Sequence, residues 1–177
     1  MNTPLAQIGV CAGGEFACVK VQGRANFTSS IDFNTVLIHL REQGCSHFVI
    51  ELSECALMDS TFLGVLTGFG LKMTQANGAQ ATRPVELRNP NARITELLEN
   101  LGVLHLFTTA TGNVELPEKL ECAPQATAEH SREEVTRSCL EAHETLMGLN
   151  PGNAARFKDV AKFLAEELAR MKGEKLK

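Results

Sequence analysis

Apolar residues along this chain recur first at the two-residue interval of strands and then at the three-and-four interval of helices, and the alternation of these rhythms predicts an α/β protein. Ile8 to Ala12 and Phe16 to Val21, joined through Gly13-Gly14, read as a hairpin with Phe16, Cys18-Val19 and Val21 on its buried face. Ser29-Ser30-Ile31-Asp32 then opens a helix, Asp32 standing three residues past Ser29 as in a capping box. Phe33, Val36, Leu37 and Leu40 form its inner stripe and Gly44 ends it. His47 to Leu52 has the length and β-branched content of an interior strand, and a strand that follows a strand and a helix should pair in parallel by a right-handed crossover.

From Ser60 onward apolar residues return at Leu63, Leu66, Gly70 and Met73, a helix that Asn77-Gly78 should close. Arg83-Pro84 introduces a strand over Val85 to Arg88, Asn89-Pro90-Asn91 leads into a helix over Ala92 to Leu101, and Gly102 separates it from a terminal apolar stretch, Val103 to Phe107. The character of the chain changes after Pro117. The first 117 residues carry 7 basic and 10 acidic side chains and the last 60 carry 10 and 11, so the tail is denser in charge, and it has no strand pattern. Residues 1–117 therefore read as one domain, 118–131 as a linker, and 132–177 as a helical hairpin. Val135, Cys139, Ala142, Leu146 and Leu149 make one apolar seam, and after the Asn150-Pro151-Gly152-Asn153 break Phe157, Ala161, Leu164, Leu168 and Met171 make another. Two such helices cannot hide their seams from water alone. Their strict four-three step favours a homodimer through these helices over packing on the chain's own body.

At 177 residues and 44% hydrophobic content the chain can bury one sizeable core. A net charge of −4 with no basic patch argues against nucleic-acid binding, which needs clustered Lys and Arg. No apolar run approaches the ~20 residues of a membrane span, and Met1-Asn2-Thr3-Pro4 does not begin a secretory signal, so the chain is expected in the cytoplasm without membrane insertion. Cys11, Cys18, Cys45, Cys55, Cys122 and Cys139 form no C-x-x-C pair and read as reduced core thiols. His39, His47, His105, His130 and His143 have no partner at metal-ligand spacing and read as structural.

The stretch with the most chemistry is Leu52 to Leu66, where a strand runs into a helix whose first turn presents Ser60 and Thr61 beside Asp59. Asp and Ser also serve any helix start as caps, because their oxygens accept from the free N–H groups of the first turn. Ser60 as a hydrolase nucleophile lacks the G-x-S-x-G turn, and no histidine can be set against it by spacing; no G-x-x-x-x-G-K-[ST] phosphate loop occurs either. No catalytic residue, cofactor or metal is expected. Gly64 and Gly68 each cost about 1 kcal/mol against Ala inside a helix, so close backbone approach is expected there, with packing on the sheet favoured over a partner contact.

Phe48 to Leu66 resembles the signature of the STAS domain, the fold of anti-sigma factor antagonists, in which an acidic residue and a phosphorylatable Ser or Thr open a helix continued by a short apolar run with Gly. The order of elements from the N-terminal strands to about Pro117 fits the same family. The resemblance implies a STAS-like mixed sheet flanked by helices on one side, with the C-terminal hairpin as an extension. Two positions depart from the pattern. Phe62 stands where the family usually has Gly, and Asn26 stands where it has an acidic residue after the second strand.

The resemblance further implies that Ser60 is phosphorylated by an anti-sigma factor Ser/Thr kinase of the histidine-kinase-like ATPase type and restored by a metal-dependent Ser/Thr phosphatase. Asp59, Thr61, Phe62, Leu63 and Asn26 would then meet the partner, and the unphosphorylated form would bind. An alternative within the family is an adaptor that is never phosphorylated, such as the STAS subunit of some lipid-transport ATPases.

Overall fold

The computed structural model describes residues 6–76, 83–117 and 121–175. Strands β1 (Gln7–Gly13) and β2 (Phe16–Ala25) form the antiparallel hairpin; α1 (Ser30–Glu42) carries the chain to β3 (His47–Glu51), which pairs in parallel with β2. After β4 (Cys55–Met58), helix α2 (Ser60–Ala76) leads to β5 (Val85–Arg88), α3 (Ala92–Asn100), a 3₁₀ turn at Leu104–Leu106 and β6 (Thr108–Ala110). β7 (Glu121–Pro124), α4 (Arg132–Leu149) and α5 (Pro151–Lys175) complete the chain. The strand order is β6-β5-β3-β2-β1-β7, with β4 paired to the far end of β2. The architecture is the mixed α/β sheet expected from the sequence.

Alternation along the strands sends Ala17, Val19, Val21, Phe48, Ile50, Val85 and Leu87 into one core with Phe33 and Leu37 of α1, Phe62 and Leu66 of α2, and Ile94 and Leu98 of α3. Phe33 stacks on Phe62 at 4.5 Å between centroids, and Phe48 meets Phe69 edge-on at 4.9 Å. Among the described residues no helix is long and apolar enough to cross a membrane.

Several expectations need correction. The Ser29 side chain caps no helix N–H; it bonds Asn26, while the Asp32 carboxylate turns to His130 Nε2 at 2.7 Å. The capping box is therefore absent, because tertiary partners claim both of its members. β2 runs on to Ala25 and gains β4 as a parallel partner past a register shift at Gly23/Arg24; four residues were too short to show a period. Val103 to Phe107 is mostly the 3₁₀ turn, and the strand is the polar Thr108–Ala110 beyond it. The expected closure at Asn77-Gly78 lies outside the described residues.

The tail departs most. Residues 118–131, expected as a linker, contribute β7, which pairs antiparallel with β1 and sets Cys122 opposite Cys11. Those two cysteines are joined in a disulfide, so the reading of all six as reduced thiols fails for this pair. Cys18, Cys45 and Cys55 are buried free thiols. Helix α4 starts where expected, under a Ser131–Glu134 capping box. α5 starts at Pro151, whose missing N–H costs nothing in a first turn, and this shortens the break between the helices to Asn150.

The surface that covers the seams is the chain's own body. Leu146 is fully buried and belongs to the same core as the sheet, with Leu149 and Phe157 packed against it. Asn153, 1% exposed, donates to the carbonyls of Leu101 and Leu146 at 2.9 Å each, which pins the hairpin's elbow to the end of α3. The seams therefore supply no requirement for a second copy.

Candidate functional site

The end of β4 and the start of α2 bring the sequence-predicted residues to one edge of the sheet. Asp59 caps α2 from inside the junction: its Oδ1 accepts from Phe62 N–H at 2.8 Å and its Oδ2 from Phe27 N–H at 2.7 Å. One carboxylate thus satisfies a free donor of the helix start and ties the loop after β2 to it. The Asp59 N–H itself donates to the Ala25 carbonyl at 2.9 Å. Asn26 is held in that same loop, its Oδ1 accepting from Ser29 N–H at 3.2 Å and its carbonyl from Ser30 N–H at 3.0 Å. The Asn26 loop, Asp59 and Ser60 accordingly lie together. Phe27, 45% exposed, projects from it too; a lone aromatic in a polar loop gave no periodic signal.

Ser60 is the first residue of α2 and is half-buried. What covers it is α4. Ser60 Oγ lies 3.0 Å from His143 Nε2, and His143 Nδ1 lies 2.7 Å from the Cys139 carbonyl. A carbonyl only accepts, so Nδ1 carries a ring proton and donates it to Cys139, which fixes the ring with Nε2 turned to the Ser60 hydroxyl. A histidine thus meets Ser60 where sequence spacing indicated none. The two residues are 83 apart in sequence, and no spacing rule reaches that far. The pair has the hydrogen bond of a Ser–His nucleophile, but the third member is a backbone carbonyl instead of a carboxylate. Phe157 closes the ring's flank at 4.8 Å between centroids.

One residue along α2, Thr61 is buried and its hydroxyl hydrogen-bonds the Cys139 thiol. Burial pushes that thiol's pKa up; the Thr61 bond opposes the shift and the Asp59 charge adds to it. Phe62 and Leu63, expected to face a partner, are fully buried in the core. The apolar face of the signature helix points to the sheet, and these two residues are on it.

Gly64 explains how α4 comes so near. A Cβ there would lie 2.5 Å from the Ala142 carbonyl oxygen and 2.7 Å from the Ala142 Cβ, so the two helices touch backbone to side chain with no space between. At Gly68 a Cβ would meet Thr145 only at 3.8 Å, an ordinary contact. The close approach predicted for both glycines exists at Gly64 alone, and its object is α4 and not the sheet. Among the described residues no cluster of His, Cys, Asp and Glu is arranged to hold a metal.

The STAS domain family matches residues 11–115. Among solved structures, the chain is similar to the anti-sigma factor antagonist SpoIIAA in its unphosphorylated form, at 15% identity and a TM-score of 0.49, covering 60% of this chain and 89% of that one. It is also similar to the Bacillus cell fate determinant SpoIIAA in the phosphorylated form, at 14% identity and a TM-score of 0.46, covering 60% and 92%. No curated protein matches.

Proposed function

Because this chain belongs to the STAS domain family through residues 11–115, we propose that it is an anti-sigma factor antagonist in a bacterial partner-switching pathway, acting in the cytoplasm. Its unphosphorylated form binds an anti-sigma factor Ser/Thr kinase of the histidine-kinase-like ATPase type. The observation that carries this reading is the placement of Ser60: a hydroxyl at the first position of a helix, beside an Asp59 carboxylate fixed by two backbone N–H groups. In the reaction the Ser60 O–H bond breaks and an O–P bond forms to the γ-phosphorus of ATP; ADP leaves and the proton passes to the kinase's base. A metal-dependent phosphatase later hydrolyses the ester to Ser60 and inorganic phosphate.

The phosphoryl group brings a charge of about −1.5 to −2 to a helix N-terminus, where dipole and free N–H groups favour anions, so the fold tolerates it. The docking face does not. Asn26, Phe27 and Asp59 form that face with Ser60, and Thr61 joins it only where α4 is lifted. Phe62 and Leu63 serve it from within, by fixing α2 on the core. The chain itself supplies no catalyst.

The test is incubation with the cognate kinase and ATP. One phosphoryl group should be added, and Ser60→Ala should abolish its addition. Label retained in that variant, or mapped to Thr61, overturns the assignment.

A further inference from the structure

The acceptor is covered on one side by a part of the same chain that lies beyond the residues matched by the STAS family, and its hydroxyl is hydrogen-bonded to that cover. We propose that the α4–α5 hairpin is a lid on Ser60 in cis, closed in the unmodified chain and excluded by the phosphoryl group, so that modification and lid closure compete for one site. This rests on the reading of Ser60 as the acceptor and adds its regulation.

Three observations carry it. The Ser60 Oγ to His143 Nε2 gap is 3.0 Å. A phosphoryl oxygen facing His143 would itself need ~2.7–2.9 Å to the ring nitrogen, so the gap cannot also hold the phosphorus. α4 packs on α2 without slack, Ala142, next to His143, already touching the Gly64 backbone, so room for the group comes only by moving α4 away from α2. The second hydroxyl of the turn, on Thr61, is likewise occupied, by Cys139 from the same helix. The lid is held at points remote from Ser60 as well: the Asn153 bond to Leu101, the His130–Asp32 contact at 2.7 Å, and the β1–β7 pairing. It is therefore a docked element whose displacement has a definite free-energy cost, and not a loose tail.

Exclusion works in both directions. If the phosphoryl group disfavours the docked lid, the docked lid disfavours phosphorylation by the same factor at equilibrium. A kinase must meet the chain with the lid raised, and phosphorylated Ser60 then keeps it raised. Raising it bares Ala142 and Leu146, which are buried when it is closed.

Cys139 reports the lid, since its half-buried thiol lies against Thr61 of α2 and becomes more accessible when α4 leaves. The experiment compares the full chain carrying genetically encoded phosphoserine at position 60 with the unmodified chain. It follows iodoacetamide alkylation of Cys139 by peptide-resolved mass spectrometry, with amide exchange read over α4, β3 and β5. Ala142→Leu, which adds bulk where Gly64 leaves no space, provides the raised-lid reference. The expected result is Cys139 alkylation faster by about tenfold or more in both altered chains, with faster exchange over α4 and unchanged protection of β3 and β5. Equal shielding of Cys139 in the phosphorylated and unmodified chains overturns the proposal, as does full shielding in Ala142→Leu. Loss of protection through β3 and β5 in the phosphorylated chain also counts against it, because the whole fold and not the lid would then have yielded. None of these results depends on a kinase, so failure here is distinguishable from failure of the acceptor assignment.

Discussion

Replacing each of two glycines on α2 by alanine should have opposite effects, because helix propensity treats the sites alike and only the neighbour differs. Gly-to-Ala inside a helix gains about 1 kcal/mol. At Gly68 that gain is free of penalty, since the new methyl would sit 3.8 Å from Thr145 Cγ2. At Gly64 it would press to within 2.8 Å of three atoms of Ala142, two of them backbone, and neither helix has a flexible end to yield there. Overpacking of this kind costs about 1–3 kcal/mol, which exceeds the gain over most of its range. Gly68→Ala should accordingly be stabilised by about 1 kcal/mol and Gly64→Ala destabilised by up to about 2 kcal/mol. Urea unfolding of the full chain measures both, and site-resolved alkylation of Cys139 shows whether the strain in Gly64→Ala is relieved by lifting α4. Two variants of equal stability, or a stabilised Gly64→Ala with Cys139 still shielded, would refute the packing of α4 on α2.

Other consequences are open to measurement. Leu146→Ala removes a fully buried side chain at the junction of hairpin and body and should cost about 2–5 kcal/mol in equilibrium unfolding, whereas a hairpin packed only on a second copy would make the loss depend on protein concentration. Asp59→Ala leaves the Phe62 and Phe27 N–H groups without their acceptor and should cost about 0.5–2 kcal/mol by the same measurement. Ser60→Asp should keep the melting temperature within a few degrees yet weaken binding to the partner kinase by at least ~1.4 kcal/mol in calorimetry, a factor of ten. Burial, with the Glu51 charge next, pushes the Cys18 pKa up to about 11. The thiolate is the reactive form, so its alkylation should rise about tenfold per pH unit between pH 7 and 9 with no plateau; a plateau there would contradict that environment.

The sheet domain was legible because its signals are local. His47 to Leu52 announces a buried strand by composition, and the bounds of α4, Arg132 and Leu149, follow from the apolar step and the cap at Ser131. Asp59 and Ser60 were singled out because they are neighbours at a strand-to-helix junction, whereas the contact of the Asn26 loop with them depends on the Asp59 bonds to Phe27 and Ala25, which no local signal carries. What escaped depends on contacts between distant segments. β7 has four residues and no alternation, so its pairing with β1, and with it the Cys11–Cys122 bond, leaves no trace in sequence. His143 lies one position after Ala142 in the apolar seam of α4, and only the docking of that seam on Gly64 turns its ring onto Ser60. Even the glycines signalled a close approach without saying to what.

The account stands most directly on the modification of Ser60 itself. Intact-mass analysis of the protein isolated from its native cells, followed by peptide mapping of residues 55–76, should show a fraction heavier by one phosphoryl group, located on Ser60 and absent from Ser60→Ala produced in the same cells. A phosphoryl group on Thr61 or elsewhere, or a chain that stays unmodified in every growth condition in which its partner kinase is active, would contradict it.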